Sequence, residues 1–166
     1  MANDYDHTQR GILHYIIGLA GGICLAGALV SGPEYPGFIG LVAGACLMMF
    51  IGACFVYLRI RDDGDRLSIR FGPVQTFGTS IRYENIAAVE PSRTTFLAGW
   101  GVHGLPFVGV VYNIHGYACV KVTFKRPHGL FRFRYMAIGT DDPEGLAAFL
   151  SGKARQAEAD AEVRHG

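Results

Sequence analysis

Two apolar runs decide how this chain is read: Ile12–Val30, ILHYIIGLAGGICLAGALV, and Phe38–Leu58, FIGLVAGACLMMFIGACFVYL. A helix rises ~1.5 Å per residue and needs ~20 residues to cross the hydrocarbon of a bilayer, so both runs are long enough to span. Between Gly11 and Leu58 the only charged side chain is Glu34. The connecting Ser31-Gly32-Pro33-Glu34-Tyr35-Pro36-Gly37 carries two prolines, which stop one helix and start the next. The pattern predicts a two-helix transmembrane hairpin, with spans at 12–30 and 38–58 inside a membrane segment 1–58.

The rest of the composition agrees with this division. The chain is 50% hydrophobic and only 17% charged, with a mean hydropathy of +0.24, and the apolar residues are concentrated at the N-terminus. Cys24, Cys46, Cys54 and Cys119 have no metal-ligand spacing and read as small buried hydrophobes. A formal net charge of +1 supplies no bulk attraction to nucleic acid. Arg10 precedes the first run, the connecting segment has no Lys or Arg, and Arg59, Arg61 and Arg66 follow the second. The excess of basic residues on cytoplasmic flanks then places both termini inside, in the cell membrane or, where there are two, the inner membrane. A cleaved signal peptide is the competing reading, because Ala26-Gly27-Ala28 resembles a cleavage site. Asp4 and Asp6 before a single Arg10 speak against it. Gly18, Gly22 and Ala26 recur every four residues on the first helix, and Gly40 and Gly44 on the second, forming small-residue faces for packing the hairpin or for self-association.

From Arg66 the period changes to alternation, with Leu67, Ile69 and Phe71 interleaved by Arg66, Ser68 and Arg70, the signature of a half-buried strand. Short strands follow at Thr79–Tyr83 and Ile86–Pro91, and then a stretch rich in glycine and aromatics from Phe96 to Gly116 whose secondary structure the pattern leaves open. A hairpin is predicted from Ala118 to Ile138, turning at Arg126-Pro127-His128-Gly129. Asp141-Asp142-Pro143-Glu144 has the acceptor, the first-turn proline and the acid of a helix start, and Leu146, Phe149 and Leu150 give that helix its apolar face. The organisation expected is thus a β domain with a capping helix at 59–152 and a polar tail at 153–166.

The segments Gly99-Trp100-Gly101-Val102-His103, Tyr112-Asn113-Ile114-His115-Gly116-Tyr117-Ala118-Cys119-Val120 and Ile138-Gly139-Thr140-Asp141-Asp142-Pro143-Glu144 resemble bacterial membrane-anchored pleckstrin-homology-like proteins over residues 55–150. His103 stands where arginine is more common in that family. The resemblance implies a strongly bent antiparallel barrel capped by one helix, with no established catalytic centre. The fold class expected is therefore α+β: a membrane hairpin followed by a PH-like barrel.

No nucleophile elbow, phosphate-binding loop, zinc-protease or dinucleotide motif is present, so no cofactor and no enzyme class is indicated. His103, His115 and His128, with Asp141 and Asp142 as possible partners, lack the spacing of a metal site. His14 lies one turn inside the first run, close enough to its end to reach the interface. Trp100, the sole tryptophan, sits between Gly99 and Gly101 and is expected to face the core, with lipid or partner contact as its functional alternative. Charge is the strongest local feature. Arg59–Thr140 holds eleven Lys or Arg against five Asp or Glu, a net of +6. Alternation on the last hairpin puts Lys121, Lys125, Arg132 and Arg134 on one face, opposite Val120, Val122, Phe124, Phe131 and Phe133. Such a face suits anionic headgroups or a protein partner, although Lys and Arg also blunt exposed strands for structural reasons. The function expected is a non-catalytic membrane-anchored binding or scaffold module, or else a self-associating accessory subunit of another membrane complex.

Overall fold

The computed structural model describes residues 5–74, 76–94 and 100–165, with side chains to 163. The chain opens with a strand, β1 (Asp6–Arg10), and enters α1 (Leu13–Ser31); after a short turn α2 (Phe38–Cys54) runs back along it, and β2 (Tyr57–Asp62) follows. β2 pairs antiparallel with β1, so that Arg10 stands opposite Tyr57 and Asp6 opposite Arg61. The two helices therefore leave and rejoin the same sheet edge as a helical arm. β3 (Arg66–Phe71) and β4 (Gly78–Arg82) complete a four-stranded sheet of order β1-β2-β3-β4.

A 3-10 turn at Tyr83–Asn85 leads to β5 (Ile86–Arg93). Beyond it lie β6 (Gly101–Leu105), β7 (Gly109–Asn113), β8 (Ala118–His128), β9 (Phe133–Gly139) and α3 (Pro143–His165). These strands form a second sheet in the order β5-β8-β9-β7-β6, in which β7 and β9 are parallel. Leu58, Ile60, Leu67, Ile69 and Ile81 of the first sheet meet Val120, Val122, Met136 and Ile138 of the second and Leu146 and Leu150 of α3 in one buried core.

Two expectations are corrected. Among the described residues the sheets are two and open, one with a parallel pair, so the antiparallel PH-like barrel is not formed. The two-helix transmembrane hairpin is not shown either: among the described residues one helix, Leu13–Ser31, is long and apolar enough to cross a membrane, by length and composition that fit a span or a signal sequence alike. The second apolar run is divided, because Cys54, Phe55 and Leu58 are buried in the sheet core and α2 stops at 17 residues, a rise of only ~25 Å. Hydropathy cannot separate a lipid-facing helix from a fully buried strand. The stretch from 153, expected as a polar tail, continues α3 as helix through His165, with Lys153, Ala154 and Ala157 turned toward the domain.

Local rules hold where they are strongest. Asp142 accepts the Gly145 N–H at 3.1 Å just ahead of Pro143, a side-chain cap on α3. Gly72, at φ +51°, passes so close to the Ala53 and Cys54 carbonyls that a Cβ would collide with them, and it lets the chain turn at the root of the arm.

Candidate functional site

The predicted basic face does not form as one surface. Lys121 donates to Glu90 at 2.8 Å and lies 5.4 Å from the centre of the Tyr135 ring, and Glu90 holds its ammonium above the usual value. Lys125 reaches across to Glu158 of α3 at 2.5 Å. By strand parity Arg134 falls on the side of the buried Met136, two residues on, whereas Lys121 shares the other side with Tyr135 and Ala137, which the register places opposite Thr123 and Lys121. Arg132 lies outside the strands, in a turn at Gly129–Arg132 that comes three residues later than predicted. Arg132 and Arg134 are exposed and make no ion pair among the described residues.

What surrounds these two arginines was not read from the alternation. The β6–β7 and β8–β9 hairpin tips are laced together: the Phe107 N–H donates to the Phe131 carbonyl at 2.9 Å, and the Arg134 N–H to that of Val108 at 3.0 Å. Together they expose Leu105, Phe107, Val108, Leu130 and Phe131, with Leu130 at 90% and Phe107 at 64%. Phe107 and Arg132 both have positive φ, +64° and +54°, a conformation disfavoured for side chains of this size. From Trp100 to Thr140 the sequence contains no Asp or Glu. That acid-free run is the signal that could have found the tip, and a count over the whole domain averages it away.

Gln9 Nε2 donates to the Gly139 carbonyl at 2.6 Å, and the Thr140 N–H to that of Ala118, which fixes the beginning of β8 near β1 and the arm root. The far end of β8 returns to the first sheet, where His128 meets Thr79 of β4, two residues from Phe77. At the root itself, Phe55 stacks on Phe77 at 5.4 Å and Trp100 lies 5.9 Å from His115. Trp100 is half-buried rather than fully in the core, and Phe96 and Gly99 fall outside the described residues.

A second polar concentration lies between the sheets. Arg66, Ser80, Arg82, Lys125, Arg126 and His128 line an open cleft of about 510 Å³ together with Glu84 and Asn85. Asn85 receives the Arg126 N–H at 2.9 Å and donates to the Arg126 carbonyl at 3.0 Å, which fixes that residue's backbone. His128 meets Thr79 Oγ1 at 3.3 Å and stacks on Phe124, and burial lowers its pKa.

The other sequence candidates stay apart. His115 is exposed beside Trp100. Burial lowers the His103 pKa, and its Nε2 has no hydrogen-bond partner among the described residues. Asp141 pairs instead with His7 of β1 at 2.5 Å. Among the described residues no group of three or more His, Cys, Asp or Glu could hold a metal. Gly18, Gly22, Gly40 and Gly44 have open space where a Cβ would stand; the helices instead meet through Gly21, Ala28, Ala45 and Gly52. Ala26, also expected at the seam, is exposed. No family model matches the chain, and no curated protein matches it.

Proposed function

We propose that this protein is a non-catalytic binding module, anchored in the cell membrane through α1 with its sheet domain in the cytoplasm, whose hairpin tips dock on an anionic bilayer surface. The observation that carries the reading is the tip itself: five exposed apolar side chains beside Arg132 and Arg134, in a stretch without carboxylates. Apolar groups that enter the headgroup layer and cations worth ~1 kcal/mol each near an anionic surface reinforce one another. Retention of α1 is supported by β1, which precedes it and is tied into the sheet by its pairing with β2 and by Gln9 and His7. Cleavage after Ala28 would strip that strand away. Arg10 and Arg59 at the root, against a connecting turn without Lys or Arg, support the cytoplasmic side.

The test uses the full chain in nanodiscs of neutral lipid, mixed with vesicles of phosphatidylcholine alone or with phosphatidylglycerol added. Binding to the acidic vesicles only is expected, weakened at several times 0.1 M salt, where the Debye length falls well below ~10 Å. Both Arg132→Gln with Arg134→Gln and Phe107→Ser with Leu130→Ser should abolish it. Equal binding to both vesicles, or wild-type binding by both variants, rejects the lipid reading. Loss of a co-purifying protein in the variants, with vesicles ignored throughout, would make the tip a protein-docking surface instead.

One observation favours a second reading, self-association or service to another membrane complex. The open faces at Gly22 and Gly40 are exposed on the helix pair, where a further helix can approach closely.

A further inference from the structure

We infer that the cleft between the two sheets is a binding site for a phosphate-bearing ligand. It shares no residue with the hairpin tips and stands whether or not they dock on lipid. Its cations come from separated parts of the chain: Arg66 and Arg82 are register partners at the ends of β3 and β4, and Lys125 and Arg126 lie on β8. Only the packing of one sheet on the other brings them to one opening.

The charges around the cleft define the class of ligand. Arg66 is engaged by Asp65, Arg82 by Glu84 and Lys125 by Glu158, in ion pairs that are all exposed. Arg126 has no ion pair among the described residues, and Asn85 holds its backbone from both sides. Exposed pairs contribute little and exchange readily, so the three engaged cations can turn to a better acceptor. A singly charged carboxylate would compete poorly with three resident ones. A phosphate ester carries about −1.5 to −2 at neutral pH and three acceptor oxygens, and it accepts guanidinium donors in pairs. Ser80 supplies a hydroxyl and His128 an imidazole at the same opening. A cleft of about 510 Å³ leaves room for the group that bears the phosphate.

Its place in the fold favours a ligand from solution. β3 runs back toward the arm root, where Phe71 stands opposite Leu58, and Arg66 begins it at the far end. Five residue steps along the strand separate the two, ~17 Å at ~3.4 Å each.

The experiment titrates glycerol phosphate, inorganic phosphate and acetate into the full chain in neutral nanodiscs by calorimetry, alongside vesicles containing phosphatidic acid. Saturable binding of the two phosphates, with acetate much weaker, is expected. Arg126→Gln and Arg82→Gln should each weaken it about tenfold, the scale of one charge-assisted hydrogen bond, while Arg126→Lys restores part and Lys121→Gln changes nothing. The His128 imidazole resonances should shift on binding, and its titration should move up toward neutrality as a nearby dianion favours the charged ring. Saturable binding confined to phosphatidic acid vesicles, yet lost in Arg126→Gln, would keep the phosphate site and move its source to lipid. No saturable binding to any phosphate, equal affinity for acetate, or wild-type affinity in both arginine variants would overturn the inference. Failure of tip docking with phosphate binding intact would reject only the membrane-surface reading.

Discussion

Asp62 shows how much a single residue can hold together. Its side chain is 2% exposed, accepts from Tyr83 Oη at 2.7 Å and the Gly64 N–H at 2.8 Å, and forms an ion pair with Lys153 Nζ at 2.5 Å. Burial raises its pKa, but the hydrogen bonds from Lys153, Tyr83 and Gly64 outweigh it, and the carboxyl ends below its ordinary value. The ammonium of Lys153 also lies 5.5 Å from the ring centres of Tyr83 and Phe149, so this one contact ties α3 to both the 3-10 turn and the first sheet. Removing one partner of such a buried pair costs about 3 kcal/mol. Asp62→Asn should therefore lower the unfolding midpoint in urea at pH 7, followed by circular dichroism in micelles. A depressed folded pKa contributes stability that is complete above the unfolded value of ~3.9 and lost as pH falls through the folded one. The gap between wild type and Asp62→Asn should accordingly close below pH 4. A gap unchanged from pH 7 to pH 2 would assign the effect to packing. Nothing local announced this network, because its members are far apart in sequence and Asp62 sits among other acids.

At the scale of elements, the arm was legible as helix but its seam was not. Small residues occur on several faces of α1, and the four-residue series Gly18, Gly22, Ala26 is only one of them. The seam uses seven-residue steps, Gly21 to Ala28 on α1 and Ala45 to Gly52 on α2, the 3.5-residue period of two antiparallel helices packed at a shallow angle. A Cβ on Gly21 would stand 3.1 Å from Met48 Cβ, whereas Gly18, Gly22 and Gly40 have nothing within 4 Å. Gly21→Leu should thus cost about 1–3 kcal/mol by overpacking and lower the helical melting temperature in micelles. Gly18→Leu with Gly40→Leu should leave it unchanged, and the reverse order would put the seam on the other face. β1 is tested in the same way. Gln9→Ala leaves the Gly139 carbonyl buried without its donor, at about 1–3 kcal/mol, and should speed amide exchange in β1 and β2 without touching β6 or β7. Uniform acceleration in all strands would mean that β1 has no local role.

For the whole molecule, the decisive question is whether α1 stays. The fold ties the residues before it to the residues after α2, so loss of the first helix would also uncover the edge of β2. Protein recovered from membranes should resist carbonate extraction, and its intact mass should include Asp6–Arg10. A chain beginning after Ala28 would make the first run a signal sequence. Protease added from outside intact cells should leave the sheet domain uncut, while cutting there would reverse the proposed orientation.

Some of this architecture was written in local pattern. The apolar runs, the alternation of Leu67, Ile69 and Phe71, and the cap at Asp142 depend on side chains within a few residues of one another, where solvent preference and backbone geometry act without help from the rest of the fold. The β6–β7 hairpin was not readable, because its glycines and aromatics carry no clean two-residue period. Nor was the division of the second run, since helix in lipid and strand in a protein core demand the same apolar side chains. Sheet order, the parallel β7–β9 pair, the neutralisation of Lys121 and Lys125, and the gathering of Arg66, Arg82 and Arg126 around one cleft were decided only by tertiary structure. Each joins segments distant in the chain, and the free energy that selects such a pairing comes from burying the shared core between two sheets, which no single segment contains.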